Sequence, residues 1–123
     1  MRGIGIDLCE ISRMEKILNT QSRFLEKYFT ENERAYINKR GKMSASSMAG
    51  IYAAKEALLK ALGIGIGTDL RLEDISIVHG PHGEPKYQIT DKLKEKLANL
   101  GATYAFLSIT HDAGVAAAVA FIE

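Results

Sequence analysis

The strongest structural signal in the sequence is a helix pattern that runs from Ser47 to Leu62. Mostly apolar side chains recur there at spacings of three and four residues and so share one helix face: Met48, Ile51, Tyr52, Lys55, Leu58, Leu59 and Leu62. Gly63 follows at the position where a helix commonly ends in the left-handed conformation. We therefore expect a long central helix whose apolar face the rest of the chain has to cover.

The first eight residues predict a β-strand with two unlike faces. Ile4, Ile6 and Leu8 alternate with two glycines and then with Asp7. One face is therefore apolar, and the other carries almost no side chain until the carboxylate of Asp7. An ionised carboxylate at the end of an apolar strand is costly unless it is solvated or paired. Asp7 is for this reason a candidate functional residue.

The remaining patterns predict short helices and, later in the chain, more strands. Capping boxes of the Ser-x-x-Glu and Thr-x-x-Glu type predict helices from Ser12 to about Asn19 and from Thr30 to about Arg40. A short amphipathic helix is predicted over 93–100. Strands are predicted over 74–79, 86–89, 103–110 and 115–122, with turns over 80–83 and 111–114. Early helices and late antiparallel strands indicate an α+β domain.

Size and composition exclude several classes of protein. A chain of 123 residues has room for one domain, 1–123, and 46% hydrophobic with 25% charged residues can build a core. A net charge of +1 argues against a protein that coats nucleic acid. No apolar run approaches the roughly 18 residues of a membrane helix, and the start lacks a signal-peptide core. Cys9 is the single cysteine, so we expect no intrachain disulfide and a reducing, cytoplasmic setting.

Glycine, cysteine and histidine give no recognisable catalytic or nucleotide motif. The alternating glycines from Gly63 onward follow a helix rather than a strand, and Thr68 stands where a dinucleotide fingerprint needs its third glycine. Gly41-Lys42 is not followed by Ser or Thr, as a P-loop requires. Cys9 has no local base, and the three histidines lack metal-ligand spacing. We interpret these glycines as a C-cap and a loop, and Cys9 as a small apolar residue.

The carboxylates leave two interpretations open. Glu56 and Lys60 are four residues apart on the predicted helix, so they share a face, and the spacing alone favours an ordinary surface ion pair. In the alternative, Asp7 and Glu56 converge on a Mg²⁺ ion, which takes one or two carboxylates together with phosphate oxygens and water. Lys60 would then neutralise the same phosphates.

Five segments, in order along the whole chain, resemble the holo-acyl-carrier-protein synthases, which are the short, group I phosphopantetheinyl transferases. The segments are Gly5-Ile6-Asp7-Leu8, Phe29-Thr30-Glu31-Asn32-Glu33, Ala53-Ala54-Lys55-Glu56-Ala57, Gly83-Glu84-Pro85 and Ser108-Ile109-Thr110-His111. The resemblance implies the phosphopantetheinyl transferase fold, with a small antiparallel sheet packed on a long central helix. It also implies a homotrimer with active sites at the subunit interfaces. The implied reaction, a step of fatty acid biosynthesis, transfers 4′-phosphopantetheine from coenzyme A to a serine of an apo acyl carrier protein and releases adenosine 3′,5′-bisphosphate.

The resemblance also implies a role for individual residues. Asp7 and Glu56 would hold Mg²⁺ and, with Lys60, form the catalytic group, in which Lys60 contacts the pyrophosphate. The residues implied in binding coenzyme A are Lys60, Gly63, Pro85 near the adenine, and Ser108, Thr110 and His111 from a neighbouring subunit. Arg13, Arg23 and Lys27 would dock the carrier protein.

Two positions depart from the family pattern. Ile51 stands where the family commonly has an Arg, so another basic residue would have to grip coenzyme A, or the affinity would be weaker. Lys27 stands at a position often held by Arg, and a lysine cannot make the bidentate contact of a guanidinium. Residues 12–42 nevertheless carry eight basic and four acidic side chains, a local charge of 8 − 4 = +4, which suits an acidic carrier protein.

Two other functions agree with the same residues: a non-enzymatic module that binds a carrier or nucleotide, and a small trimeric scaffold.

Overall fold

The computed structural model describes residues 2–64 and 69–123 and has an α+β architecture. In chain order its elements are β1 (Gly3–Glu10), α1 (Ile11–Thr20), α2 (Arg23–Tyr28), α3 (Glu31–Asn38), α4 (Ser44–Ala61), β2 (Ile77–His79), β3 (Pro85–Tyr87), α5 (Asp91–Asn99), β4 (Ala105–Asp112) and β5 (Val115–Ile122). Short 3₁₀ turns lie at Gly41–Met43 and Leu72–Asp74. The expected combination of a long helix with small antiparallel sheets is confirmed.

The strands form one three-stranded and one two-stranded antiparallel sheet. The larger sheet has the order β1-β5-β4, so the two ends of the chain lie side by side, and β2 pairs with β3. The central strand β5 presents Ala116, Ala118 and Ala120 to the interior, each at most 2% exposed. These small side chains let α4 approach the sheet closely.

The glycine face of β1 is the face that α4 covers. A Cβ atom added to Gly5 would lie 2.0 Å from the Ala57 carbonyl oxygen, far inside contact distance. The helix therefore packs against the bare backbone of β1, and only glycine fits there. Because side chains alternate along a strand, Asp7 lies on this same face, next to the end of α4.

A buried ion pair ties α4 to the other helices. Lys55 and Glu33 are both fully buried, with Nζ 2.6 Å from Oε1. Lys55 also donates to three backbone carbonyl oxygens at 2.8–2.9 Å, those of Tyr28, Leu72 and Ile75. Burial lowers the pKa of Lys55, and Glu33 opposes that shift. The lysine within the apolar helix pattern is thus a structural anchor.

Several predicted boundaries differ from the structure. The capping box at Thr30 is confirmed, but the one at Ser12 is wrong, because α1 begins at Ile11 directly after β1 and has no side-chain cap. The helix α2 was not predicted. The predicted strand over 74–79 is confined to β2, since a 3₁₀ turn occupies its beginning.

The connection between β4 and β5 is shorter than predicted, because it has two residues rather than four. Ala113 and Gly114 both have positive φ, 51° and 77°, which allows a tight hairpin turn. Gly63, with φ 72°, follows α4 as expected for a C-cap, whereas the predicted loop through Gly65, Gly67 and Thr68 lies outside the described residues.

The other face of the large sheet is apolar and exposed. Ile4, Ile6 and Leu8 are 58–65% exposed, and Phe106 of β4 on the same face is 49% exposed. Among the residues that the structure describes, no helix has the length and apolar character needed to cross a membrane.

Candidate functional site

The end of β1 and the last turns of α4 bring together three of the residues singled out in the sequence. Lys60 Nζ lies 2.8 Å from Asp7 Oδ1 and donates a second hydrogen bond to the Ile6 carbonyl oxygen at 3.1 Å. Within the residues that the structure describes, Lys60 therefore forms its ion pair with Asp7, and not with Glu56 as the helix spacing favoured. The Asp7 hydrogen bond raises the pKa of Lys60, whose side chain is 57% exposed.

Glu56 completes this group, which we call the carboxylate cluster: Asp7, Glu56 and Lys60. Burial raises the pKa of Glu56, and the neighbouring Asp7 carboxylate raises it further, because two anions disfavour each other at close range. Tyr52 and Lys60 act in the opposite direction. The cluster therefore holds two adjacent carboxylates whose negative charge the single lysine only partly compensates.

The carboxylates of the cluster fit a Mg²⁺ ion that also takes phosphate oxygens as ligands. Within residues 2–64 and 69–123, no three His, Cys, Asp or Glu side chains form a metal cage. Mg²⁺ does not need such a cage, since it keeps waters and is typically held by one or two carboxylates plus substrate phosphates. A divalent cation would also relieve the repulsion that raises the pKa of Glu56.

Tyr52 and Arg13 lie against the carboxylate cluster. The Arg13 guanidinium lies 5.5 Å from the centre of the Tyr52 ring. Burial raises the pKa of Tyr52 to about 12, and the Glu56 carboxylate contributes to the shift, so the phenol stays protonated. Cys9 is 3% exposed, and burial raises its pKa to about 11, which agrees with an apolar role and not with a nucleophile.

A second group of residues lines a cavity of about 270 Å³ between α3, α4, the β2–β3 hairpin and β4, which we call the hairpin cavity. Two of its residues, Pro85 and His111, were singled out in the sequence. His111 Nε2 lies 3.0 Å from the Ser46 carbonyl oxygen. Ile51, the position that departs from the family pattern, also lines this cavity.

The sequence did not point to the other polar residues of the hairpin cavity. The rings of Tyr36 and His79 stack with centres 3.7 Å apart and planes 4° apart. The guanidinium carbon of Arg40 lies 5.4 Å from the centre of the Tyr36 ring, and Arg40 Nε donates a hydrogen bond to Ser47 Oγ at 3.1 Å. The only sequence feature that pointed to a role for Arg40 was the basic segment 12–42, to which it belongs. Nothing in the local sequence indicates that Tyr36 meets His79.

The three predicted binding residues of β4 do not lie together in one chain. His111 faces α4, whereas Ser108 and Thr110 alternate with it and so lie on the exposed face of the sheet. The register places Ser108 in one row with Val119 and Ile6. A ligand bound in the hairpin cavity therefore could not meet Ser108 and Thr110 of the same chain.

The predicted carrier-docking residues divide between two helices. Arg13 lies on α1, beside the carboxylate cluster. Arg23 and Lys27 lie one turn apart on α2 and line an open groove of about 510 Å³ together with Phe24 and Tyr28. Gly63 is exposed at the end of α4, where its amide donates to the Lys60 carbonyl oxygen at 3.0 Å.

Comparison with known proteins gives consistent matches over the whole chain. Residues 3–120 match the family model of the 4′-phosphopantetheinyl transferase superfamily. A holo-[acyl-carrier-protein] synthase of Clostridium botulinum is 39% identical over 123 residues, which are 100% of this chain and 98% of that protein. Among solved structures, the Helicobacter pylori holo-[acyl-carrier-protein] synthase in complex with coenzyme A superposes with a TM-score of 0.82 at 36% identity, covering 98% of this chain and 99% of the other. The Bacillus anthracis synthase in complex with CoA (3′,5′-ADP) gives 0.80 at 34% identity, with 98% and 94% covered.

Proposed function

Since this chain belongs to the holo-[acyl-carrier-protein] synthases of the 4′-phosphopantetheinyl transferase superfamily, we propose the following reaction for it. It transfers 4′-phosphopantetheine from coenzyme A to a serine of an apo acyl carrier protein, with Mg²⁺, and releases adenosine 3′,5′-bisphosphate. The observation that carries the proposal is the carboxylate cluster, in which two adjacent carboxylates and a lysine converge at one end of α4. Relatives in the same family have been solved in complex with coenzyme A.

The proposed reaction exchanges one phosphorus–oxygen bond for another. The serine oxygen of the carrier bonds to the phosphorus that carries the pantetheine arm, and the bridging bond of the pyrophosphate breaks. The serine proton passes to a base, and adenosine 3′,5′-bisphosphate leaves with the electron pair. Charge therefore gathers on the leaving phosphate oxygens during the step.

The cluster residues suit the demands of this step. Asp7 and Glu56 would hold the Mg²⁺, which when bound neutralises charge on the pyrophosphate. Lys60, exposed and cationic, would contact the same pyrophosphate and stabilise the leaving group. Glu56, whose pKa is raised by burial and by the neighbouring Asp7, is the proposed proton acceptor for the serine hydroxyl.

The hairpin cavity is the proposed site for the adenosine 3′,5′-bisphosphate half of coenzyme A. Pro85 and the stacked rings of Tyr36 and His79 offer flat surfaces for the adenine. Arg40 and His111 are the phosphate-binding candidates there. Arg40 would thereby take the place of the Arg that this chain lacks at Ile51.

We propose that the exposed sheet face packs against further copies of the chain in a homotrimer. A solvent-exposed row of Ile4, Ile6 and Leu8 beside Phe106 is an unfavourable surface for a free monomer. Assembly through this face would also bring Ser108 and Thr110 of one subunit toward coenzyme A bound to its neighbour. The trimer thus supplies the binding residues that one chain cannot bring together.

Arg13, Arg23 and Lys27 are the proposed docking residues for the carrier protein. Their charges complement an acidic partner and would steer its approach. Arg13 lies beside the carboxylate cluster, where the carrier serine has to arrive, whereas Arg23 and Lys27 provide a more distant contact on α2.

Intact-mass spectrometry tests the proposal. The purified protein is incubated with coenzyme A, Mg²⁺ and an apo acyl carrier protein, with a parallel sample containing EDTA. We expect the carrier to gain the mass of one phosphopantetheine group in the first sample only. An unmodified carrier, where a proven transferase modifies the same batch, would favour a binding module or a scaffold instead.

A further inference from the structure

Tyr52 occupies a fixed position next to Glu56. It stands one helical turn before Glu56 on α4, so the two side chains share a face. Its ring is 9% exposed and packs against Phe24 and Phe29, with ring centres 6.0 and 6.3 Å away. The packing immobilises the ring and leaves the hydroxyl as the polar end on the helix face that carries Glu56, whose carboxylate contributes to the raised pKa of Tyr52.

Arg13 holds the other side of the phenol. Its guanidinium carbon lies 5.5 Å from the Tyr52 ring centre, and its charge partly opposes the rise in the pKa of the phenol. A guanidinium over an aromatic ring is attracted to the ring, which fixes the two side chains relative to each other. Arg13 on α1 therefore holds Tyr52 on the helix face that carries Glu56.

We propose that Tyr52 is a positioning residue, held by Arg13, that orients the Glu56 carboxylate for phosphopantetheine transfer. The proposal rests on the proposed function. Glu56 adjoins the Asp7 carboxylate, and two anions that repel each other need a fixed orientation to share one cation and one substrate. The phenol would supply that orientation, because a hydroxyl donates one hydrogen bond and so holds one carboxylate oxygen while the other is left for the reaction.

Tyr52→Phe is the test variant, and Tyr87→Phe is its matched control. Tyr87 also hydrogen-bonds to α4, since its buried hydroxyl donates to the Ala54 carbonyl oxygen at 2.6 Å, and this acceptor is not part of the carboxylate cluster. Both changes remove one hydroxyl and keep the ring. A purely structural role for Tyr52 predicts that the two variants behave alike.

The first readout is the carboxyl ¹³C resonance of Glu56 in the free protein, assigned by its loss in Glu56→Gln. Both variants retain the aromatic ring and its ring current, so a shift of this resonance reports the loss of the hydroxyl beside Glu56. We expect the resonance to move in Tyr52→Phe and to stay in place in Tyr87→Phe. An unmoved resonance in Tyr52→Phe would overturn the proposal. This readout does not depend on turnover, so it decides the contact even if the wild-type protein modifies no carrier, a result that would defeat the proposed function separately.

The second readout separates kcat from KM. In Tyr52→Phe we expect kcat to fall about tenfold, the size of one hydrogen bond to a charged group, with KM for the carrier within about twofold of wild type. Tyr87→Phe should keep its kcat and lose thermal stability. Arg13→Ala should lower kcat in the wild-type background but only raise the carrier KM in the Tyr52→Phe background. An unchanged kcat in Tyr52→Phe, or an equal kcat effect of Arg13→Ala in both backgrounds, contradicts the proposal.

Discussion

At the scale of single residues, the structure assigns unlike tasks to lysines that resemble each other in the sequence. Lys55 and Lys60 are five residues apart on α4, yet one is fully buried and the other is 57% exposed. The helix pattern placed Lys55 on the apolar face, but it could not identify Glu33 as its partner. The capping box of Thr30 and Glu33 was recognisable because it is local. Glu33 has two further partners, Lys55 and the Ile77 amide. Both come from distant segments that only tertiary packing brings close.

Lys55→Met should destabilise the fold strongly. The change leaves Glu33 as a buried, unpaired carboxylate and removes the donor to three carbonyl oxygens, which costs about 3–5 kcal/mol. Chemical denaturation of the variant measures this loss. Lys92→Met is the control, because its ion pair with Asp74 is at the surface, and its loss should cost about 1 kcal/mol or less. Equal, small losses in both variants would contradict the anchoring role of Lys55.

Asp74 should make stability depend on pH in the acid range. Partial burial opposes its ionisation, but the Arg71 amide and the Lys92 ammonium outweigh burial and lower the pKa of Asp74 below 3.8. Because the folded-state pKa is lowered, the stabilisation is present above the unfolded-state pKa and is lost as the pH falls through the folded-state value. We expect Asp74→Asn to lower Tm at pH 7 and the difference from wild type to shrink below the unfolded-state pKa. A Tm difference that is constant with pH would show that the carboxylate charge is not responsible.

At the scale of the elements, the periodicities of α4, β1 and β5 were sufficient to predict an α+β domain with a long helix and antiparallel strands, whereas the packing of one on the other was implied by the family resemblance. The pattern of β1 also separated the glycine face from the apolar face. It could not say which of the two α4 covers, since an apolar face is the usual interior. The answer is in the backbone contact at Gly5, where the helix lies too close for any side chain. The short helix α2 was missed, because six residues are too few to establish a period.

Gly5→Ala should force β1 and α4 apart. The added methyl group would lie 2.0 Å from the Ala57 carbonyl oxygen, and relief of this clash costs about 3 kcal/mol or more. It would also move Asp7 away from Glu56, so transfer activity should fall with stability. Thermal unfolding and the transfer rate measure the two effects.

Gly41→Ala serves as the control for Gly5→Ala. Its added methyl group meets no atom within 4 Å, so only the left-handed backbone at φ 57° resists the change, at about 1–2 kcal/mol. Wild-type stability and activity in Gly5→Ala would mean that α4 does not pack on the β1 backbone as described.

At the scale of the whole molecule, the two faces of the large sheet explain why the site residues of β4 point in opposite directions. One face completes the core of its own chain, and the other is an apolar surface with Ser108 and Thr110 on it. The sequence motif placed Ser108, Thr110 and His111 in one segment and predicted that they act as a group. Because side chains alternate between the two faces of β4, His111 is separated from Ser108 and Thr110. The distribution of charge was also visible in the sequence as the basic segment 12–42, although the contact between Arg40 and Tyr36 was not.

Replacing Ile6 with Glu should prevent assembly. The side chain is 64% exposed in a single chain, so the monomer tolerates the carboxylate, whereas an apolar interface between copies does not. We expect light scattering to give the mass of a trimer for wild type and a smaller species for Ile6→Glu, with transfer activity lost. Leu100→Glu, at an exposed apolar residue of the α5 end, should stay trimeric. A monomeric, fully active wild-type protein would contradict the shared active site.

We propose that the carboxylate cluster of Asp7, Glu56 and Lys60 performs the transfer. The most direct test of this claim is the transfer rate of Asp7→Asn beside wild type, read from the intact mass of the carrier protein, with circular dichroism and Tm recorded for both. We expect the variant to remain folded and to transfer about 10²–10³ times more slowly, because the amide no longer offers the anionic ligand on which the charge stabilisation depends. A folded Asp7→Asn variant that modifies the carrier at the wild-type rate would contradict the claim.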